Sequence, residues 1–193
     1  MWRRFSPLVT GSQRRHLARR AGSQRRATPP SKPAKSIVEV WTTADVKSLP
    51  AANLHAMTLA ALPTLSPQEL TTLVRAVARS DLGTASPWNS LWTGLSTAAA
   101  PLLPAMTGLQ LATLAHSFAS VGKRAPRLFD ELSEHATATP QLLDNCHPRS
   151  LVALAWAYAF IGHEAPSLLR AVGASAARRL SEFEPRHLSL IHI

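Results

Sequence analysis

Cysteine is almost missing from this chain of 193 residues, which contains only Cys146. A lone cysteine excludes an internal disulfide framework and any cysteine-rich zinc site. Acid is missing from the amino-terminal stretch, where Glu39 is the first carboxylate, and so is the apolar core of roughly seven to fifteen residues that a secretory signal requires. Long apolar runs are missing too. The longest stretch without Asp, Glu, Lys or Arg, from Leu82 to Gly122, is broken by Pro87, Pro101 and Pro104, so no membrane insertion is expected. The signatures of common enzymes are also absent. There is no GxSxG, no phosphate-cradling lysine loop and no GxGxxG, and the eight histidines (His16, His55, His116, His135, His147, His163, His187 and His192) show no HExxH spacing. Cys146 beside His147 is no catalytic dyad, because consecutive helix residues point apart. A non-enzymatic protein without cofactor or metal is expected, and Cys146 reads as a buried structural thiol.

What is present is unevenly placed. The formal net charge is +10, and residues 1–38 hold ten of the 21 lysines and arginines, which leaves 11 basic and 11 acidic residues in the rest. The body is therefore formally neutral, and the basicity belongs to the leader. On a nascent helix its arginines can cluster opposite Trp2, Phe5, Leu8, Val9 and Leu17, and an amphipathic cation of that kind would suit import across a negatively polarised membrane. Residues 1–36 read as a disordered organelle transit peptide ending in a linker with Pro29, Pro30 and Pro33. The composition favours the mitochondrion, with the plastid as alternative.

The body repeats itself about every 40 residues. Apolar anchors at Leu65, Met106, Cys146 and Phe183 are each followed, at the fifth residue on, by Leu70, Leu111, Leu151 and Leu188. The first three copies continue with Leu73, Leu114 and Leu154, then Ala78, Ala119 and Ala159, and close on Gly83, Gly122 and Gly162. In copy one, Leu70, Leu73, Val74, Val77 and Ala78 have the spacing of an amphipathic helix, expected to start at Ser66 and Pro67 and to run to about Ser80. Second helices are expected from Ser86 and Pro87, from Ala125 and Pro126, and from Ala165 and Pro166. The expected fold is all-α: a right-handed α-α superhelix of helical hairpins, with repeats at 65–105, 106–145, 146–182 and a truncated 183–193. Residues 37–64 read as a degenerate half-repeat or cap, in which Ile37 to Trp41 is an apolar run without an assigned partner. An unfinished fourth copy suggests a fragment of a longer protein. Trp88, Trp92 and Trp156 read as packing residues on these helices.

The third copy, LVALAWAYAFIGHEAPSLLRAV at 151–172, carries Trp156, Ala157, Tyr158 and Ala159 as a Trp-Ala-x-Ala segment, then Gly162 and Pro166. In these residues it resembles the repeats of organellar octotricopeptide and heptatricopeptide proteins, the latter related to FAST-kinase-like, RAP-associated proteins. Copy two keeps Gly122 and Pro126 but has His116, Ser117, Phe118 and Ala119 at the aligned positions, and copy one departs further, with Arg75, Ala76, Val77 and Ala78. The resemblance implies an organellar RNA-binding factor acting in transcript or ribosomal RNA processing, stability or translation. Nothing in the chain matches a RAP domain.

Helical repeats of this kind present a few polar side chains per unit to successive bases. The aligned positions outside the apolar stripe are Gln68, Thr72 and Arg75, then Gln110, Thr113 and His116, then Arg149 and Ser150, with Arg186 in the fourth copy. These types can hydrogen-bond base edges or contact phosphate. The expected partner is single-stranded organellar RNA, with weak affinity in a neutral body. Lys123, Arg124 and Arg127, like Arg178 and Arg179, read as solvated surface. A protein-interaction scaffold, assembling an organellar ribosome or respiratory complex, is the alternative. Residues 1–40 fused to a fluorescent reporter are expected to direct it to mitochondria, and imaging against a matrix marker checks this.

Overall fold

The computed structural model describes residues 36–43, 48–80 and 88–185. The leader, Gly83, the helix start at Ser86 and Pro87, and the fourth copy from Arg186 through Leu188 lie outside the described residues. Among the described residues the chain is all-helical. It runs α1 (Ile37–Thr42), α2 (Ala51–Ala61), α3 (Pro67–Arg79), α4 (Asn89–Ala99), α5 (Gly108–Ser120), α6 (Pro126–Ala138), α7 (Pro140–Asp144), α8 (Pro148–Ile161) and α9 (Pro166–Arg178). Short 3-10 turns at Leu62–Thr64, Ala100–Ala105 and Leu180–Glu182 follow α2, α4 and α9.

Local chemistry sets the helix starts. Ser66 accepts from the Glu69 amide while the Glu69 carboxylate takes the Ser66 amide at 2.9 Å, a reciprocal box that satisfies two donors the helix itself leaves open. Thr107 and Gln110 repeat the arrangement at α5. At α8 the cap is His147, whose Nδ1 accepts from the Arg149 amide at 3.2 Å. Proline stands at the first position of α3, α6, α7, α8 and α9, where its fixed φ suits a helix and its missing N–H costs nothing. Two helices stop on glycine. Gly122 and Gly162 sit at φ +66° and +68°, and the amides after them reach back to the Phe118 and Tyr158 carbonyls, closing α5 and α8 with the same left-handed turn.

The helices sort into two rows. In one, α1 packs on α3, α3 on α5, and α5 on α8; in the other, α2 packs on α4, α4 on α6, and α6 on α9. The leucine stripes explain the first row: Leu70, Leu73, Val74 and Val77 of α3, Leu114, Ala115 and Phe118 of α5, and Leu151 and Tyr158 of α8 are all fully buried. Small residues make α5 and α8 the most extensive contact, since Ala112, Ala115 and Ala119 meet a helix that buries Ala155 and Ala157, and short side chains bring axes close. Ala159 departs from the expected stripe and is exposed. Its helix is apolar on nearly every side, so the sequence holds little contrast from which to fix its rotation.

Residues 37–64 differ from the expected half-repeat in register. The α2 sequence resembles a first helix, yet α2 packs beside α4 in the second row, and the first-row place is taken by the short α1. The Ile37-to-Trp41 run thereby gains its partner: Trp41 is buried, donates Nε1–H to Thr58 Oγ1 at 2.9 Å and meets the edge of Trp88 with centroids 5.7 Å apart. Trp92 is buried likewise, against Phe118 at 4.8 Å.

Tyr158 ties the two rows together. Its ring is fully buried in T-shaped contact with Phe129 of α6, and its hydroxyl donates to the Phe129 carbonyl at 2.7 Å. Burial drives its ionisation far above the ordinary phenol range. Tyr158→Phe is expected to destabilise the fold by about 1 kcal/mol, the net worth of one buried neutral hydrogen bond. A urea titration checks this as a lower midpoint with an unchanged slope.

Candidate nucleic-acid interface

The outward faces of α3, α5 and α8 enclose a groove of about 620 Å³. Arg75 and Arg79 line it from α3, Thr113 and His116 from α5, and Arg149 and Ser150 from α8, with Ala153 between them. One turn of helix separates Arg75 from Arg79, which puts both guanidinium groups on one side. Among the described residues no carboxylate lines the groove.

The charge is arranged helix by helix. Glu69 is the sole acid on α3, α5 and α8, and it is spent in the Ser66 cap, whose hydrogen bonds hold its carboxyl below the usual range. By contrast, α6 in the other row carries Asp130, Glu131 and Glu134. The formal neutrality of the body therefore conceals a cationic face.

Of the expected site residues, the groove gathers five: Arg75, Thr113, His116, Arg149 and Ser150. Arg75, His116 and Arg149 are exposed, whereas Ser150 is buried at 6 % exposure and belongs to the wall more than to the surface. Thr113 is half-buried and turns its hydroxyl back to the Leu109 carbonyl at 2.7 Å. Three of the remaining four stand apart. Gln110 accepts in the Thr107 cap and donates its amide to Gln68 Oε1 at 3.0 Å, while Thr72 bonds the Gln68 carbonyl at 2.8 Å. These groups serve helix starts and the seam between α3 and α5. Arg186 lies outside the described residues.

Two kinds of residue escaped the sequence pattern. Arg79 lines the groove, and its signal was its place one turn after Arg75. The other kind is aromatic. His116 lies against Trp156 with centroids 4.9 Å apart and planes tilted 33°, and Trp156 stacks on Phe160 at 4.7 Å and 22°. Trp156 is half-buried and packs against the core as expected, whereas Phe160 is 57 % exposed. Of the other basic residues, Lys123 donates to Asn89 Oδ1 at 2.6 Å, and Arg178 pairs with Asp144. Arg179 reaches the Cys146 carbonyl at 2.9 Å.

Among the described residues no group of His, Cys, Asp and Glu is placed to hold a metal ion, and no helix is long and apolar enough to cross a membrane. Cys146 is buried, donates to the Leu142 carbonyl at 3.0 Å, and has its thiol pushed up by desolvation, the opposite of an activated nucleophile. No protein-family model matches the chain, and no curated protein matches it.

His116 is the electrostatic centre of the groove. Desolvation, then Arg149 and Arg79, lower its pKa from the ordinary 6.5. The charges that face it come from α3 (Arg79, beside Arg75) and α8 (Arg149), since α5 carries no charged side chain of its own. The unfolded chain therefore takes up this proton first on acidification, and the stability that the neutral imidazole permits is present above pH 6.5 and lost as pH falls through the lower folded value. His116→Gln is expected to flatten this part of the acid limb, which urea titrations on either side of pH 6.5 would reveal.

Proposed function

We propose that the chain is an organelle-targeted helical-repeat protein that binds single-stranded RNA along the face of α3, α5 and α8. The observation that carries this is the groove that Arg75, Arg79 and Arg149 line together with His116, and among the described residues no carboxylate joins them. Guanidinium groups suit phosphate because they stay charged, present several donors in one plane and are weakly hydrated. Each phosphate neutralised releases condensed counterions, so a few arginines on one face can bind a polyanion although the body as a whole is neutral.

The architecture supports the same reading. Helix pairs that follow one another at a period near 40 residues suit a helical-hairpin solenoid, and the resemblance of the third copy to octotricopeptide and heptatricopeptide repeats supports that reading. In such a stack, aligned residues of successive first helices come to lie side by side. Arg75, His116 and Trp156 hold aligned positions, and the contact of His116 with Trp156 is what that geometry produces. With the acid-free leader, the site fits a mitochondrial factor for transcript or ribosomal RNA processing, stability or translation.

A protein-docking scaffold is the competing function, and exposed Leu169 and Leu180 in and after α9 favour it. The salt dependence of binding separates the two. The full chain is expected to bind a labelled single-stranded oligoribonucleotide with affinity that falls steeply with added salt. Arg75→Ala combined with Arg149→Ala should weaken binding and reduce the slope of log affinity against log salt by about 1.4, two contacts at about 0.7 each for single strands. Undiminished affinity in that double variant would place the RNA elsewhere.

A further inference from the structure

We infer that the exposed face of Phe160, at the end of the His116–Trp156–Phe160 stack, is a stacking site for an unpaired nucleobase. The inference rests on the RNA-binding reading and assigns a base contact to a site so far described only by its charges. Three planar groups follow one another at 4.9 and 4.7 Å, beginning at a groove residue and ending at a side chain that is 57 % exposed. One face of the Phe160 ring is covered by Trp156, so the area left to solvent is its other face and its edge. An isolated exposed phenylalanine would be unremarkable. This one lies nearly parallel to an indole, at 22°, and that indole in turn meets an imidazole.

Its surroundings select the occupant. Arg149, Ala153, Trp156 and Phe160 recur at helical spacing along one side of α8, and the run from Arg149 to Phe160 covers about 16 Å of helix axis. A cation for phosphate thus stands at one end and an aromatic face at the other. Arg79 and Arg149 both act on His116, so the phosphate-binding charges adjoin the start of the stack. The lone carboxylate of the three helices, Glu69, is occupied in a helix cap. An apolar patch meant for a protein partner needs no such cations, whereas a single strand needs both halves: its backbone is drawn by the arginines and its bases, free of a duplex, expose faces that stack without regard to sequence.

The test compares two probes on the full chain at low salt: a fluorescein-labelled oligouridylate, and an abasic strand of equal length. Phe160→Ala is expected to weaken oligouridylate binding about tenfold, bringing it near the affinity of the abasic strand, and to leave abasic binding unchanged. Phe160→Tyr should restore it, since an aromatic face is all that is required. Because the side chain is exposed, a thermal melt should show Phe160→Ala folded like the parent. Equal oligouridylate affinity in Phe160→Ala and parent would overturn the inference while leaving the arginine groove intact. Equal losses on both strands would also overturn it, by showing that Phe160 acts without a base. Failure of the parent chain to bind either strand would remove the RNA reading itself, and this site with it.

Discussion

Everything on the cationic face depends on how α5 lies against α8. Buried alanines on both helices let them approach, and alanine fixes little by shape, so the rotation is left to larger neighbours. Tyr158 supplies what alanine cannot, because its hydroxyl has one acceptor, the Phe129 carbonyl, and its ring has one slot against Phe129. With Tyr158 pointing inward, Trp156 two residues earlier must point away from the core, toward His116. The orientation of the outer surface is therefore set from the inside, by a hydrogen bond between the two rows.

The cationic face owes as much to exclusion as to placement. Acids on α3, α5 and α8 are missing except where one closes a helix cap, and α6 carries three. Net charge averages these rows and reports nothing. A polyanion samples the field within roughly a Debye length, about 8 to 10 Å at physiological salt, so it meets the arginines before it meets the average.

How far the sequence foretold this depends on which signal each feature leaves. Helix starts were legible because capping is local: Ser66 with Pro67 marks the start of α3, and the prolines at 126 and 166 mark starts just as plainly. The stripes of α3 and α5 were legible because they alternate with polar residues. The rotation of α8 was not, since a helix apolar on most sides offers no contrast, and Ala159 fell on the wrong side. Thr139 and Pro140 announce α7, but five residues are too few for a periodic pattern to register. In the site, Arg75, His116 and Arg149 could be picked out as polar residues at aligned positions outside the apolar stripe. Phe160 could not, because a phenylalanine in an apolar run looks like core until the packing shows otherwise. Gln68, Gln110 and Thr72 were polar for a different reason: the cap, the seam and the backbone use them.

The capping positions also show that the repeats are not interchangeable. Pro67 and Pro148 occupy the first turn of α3 and α8, and the aligned residue of α5 is Gly108. A Cβ built there would run into the Cys146 sulfur and come within 2.7 Å of the Leu142 carbonyl, so the chain leading into the third copy rests directly on the backbone of the second. The bearing surface is made of the Cys146 sulfur and the Leu142 carbonyl together. An array built by reiterating the first or third copy would bring proline to this junction and lift one unit off the next, so the missing side chain at Gly108 is part of what spaces the stack.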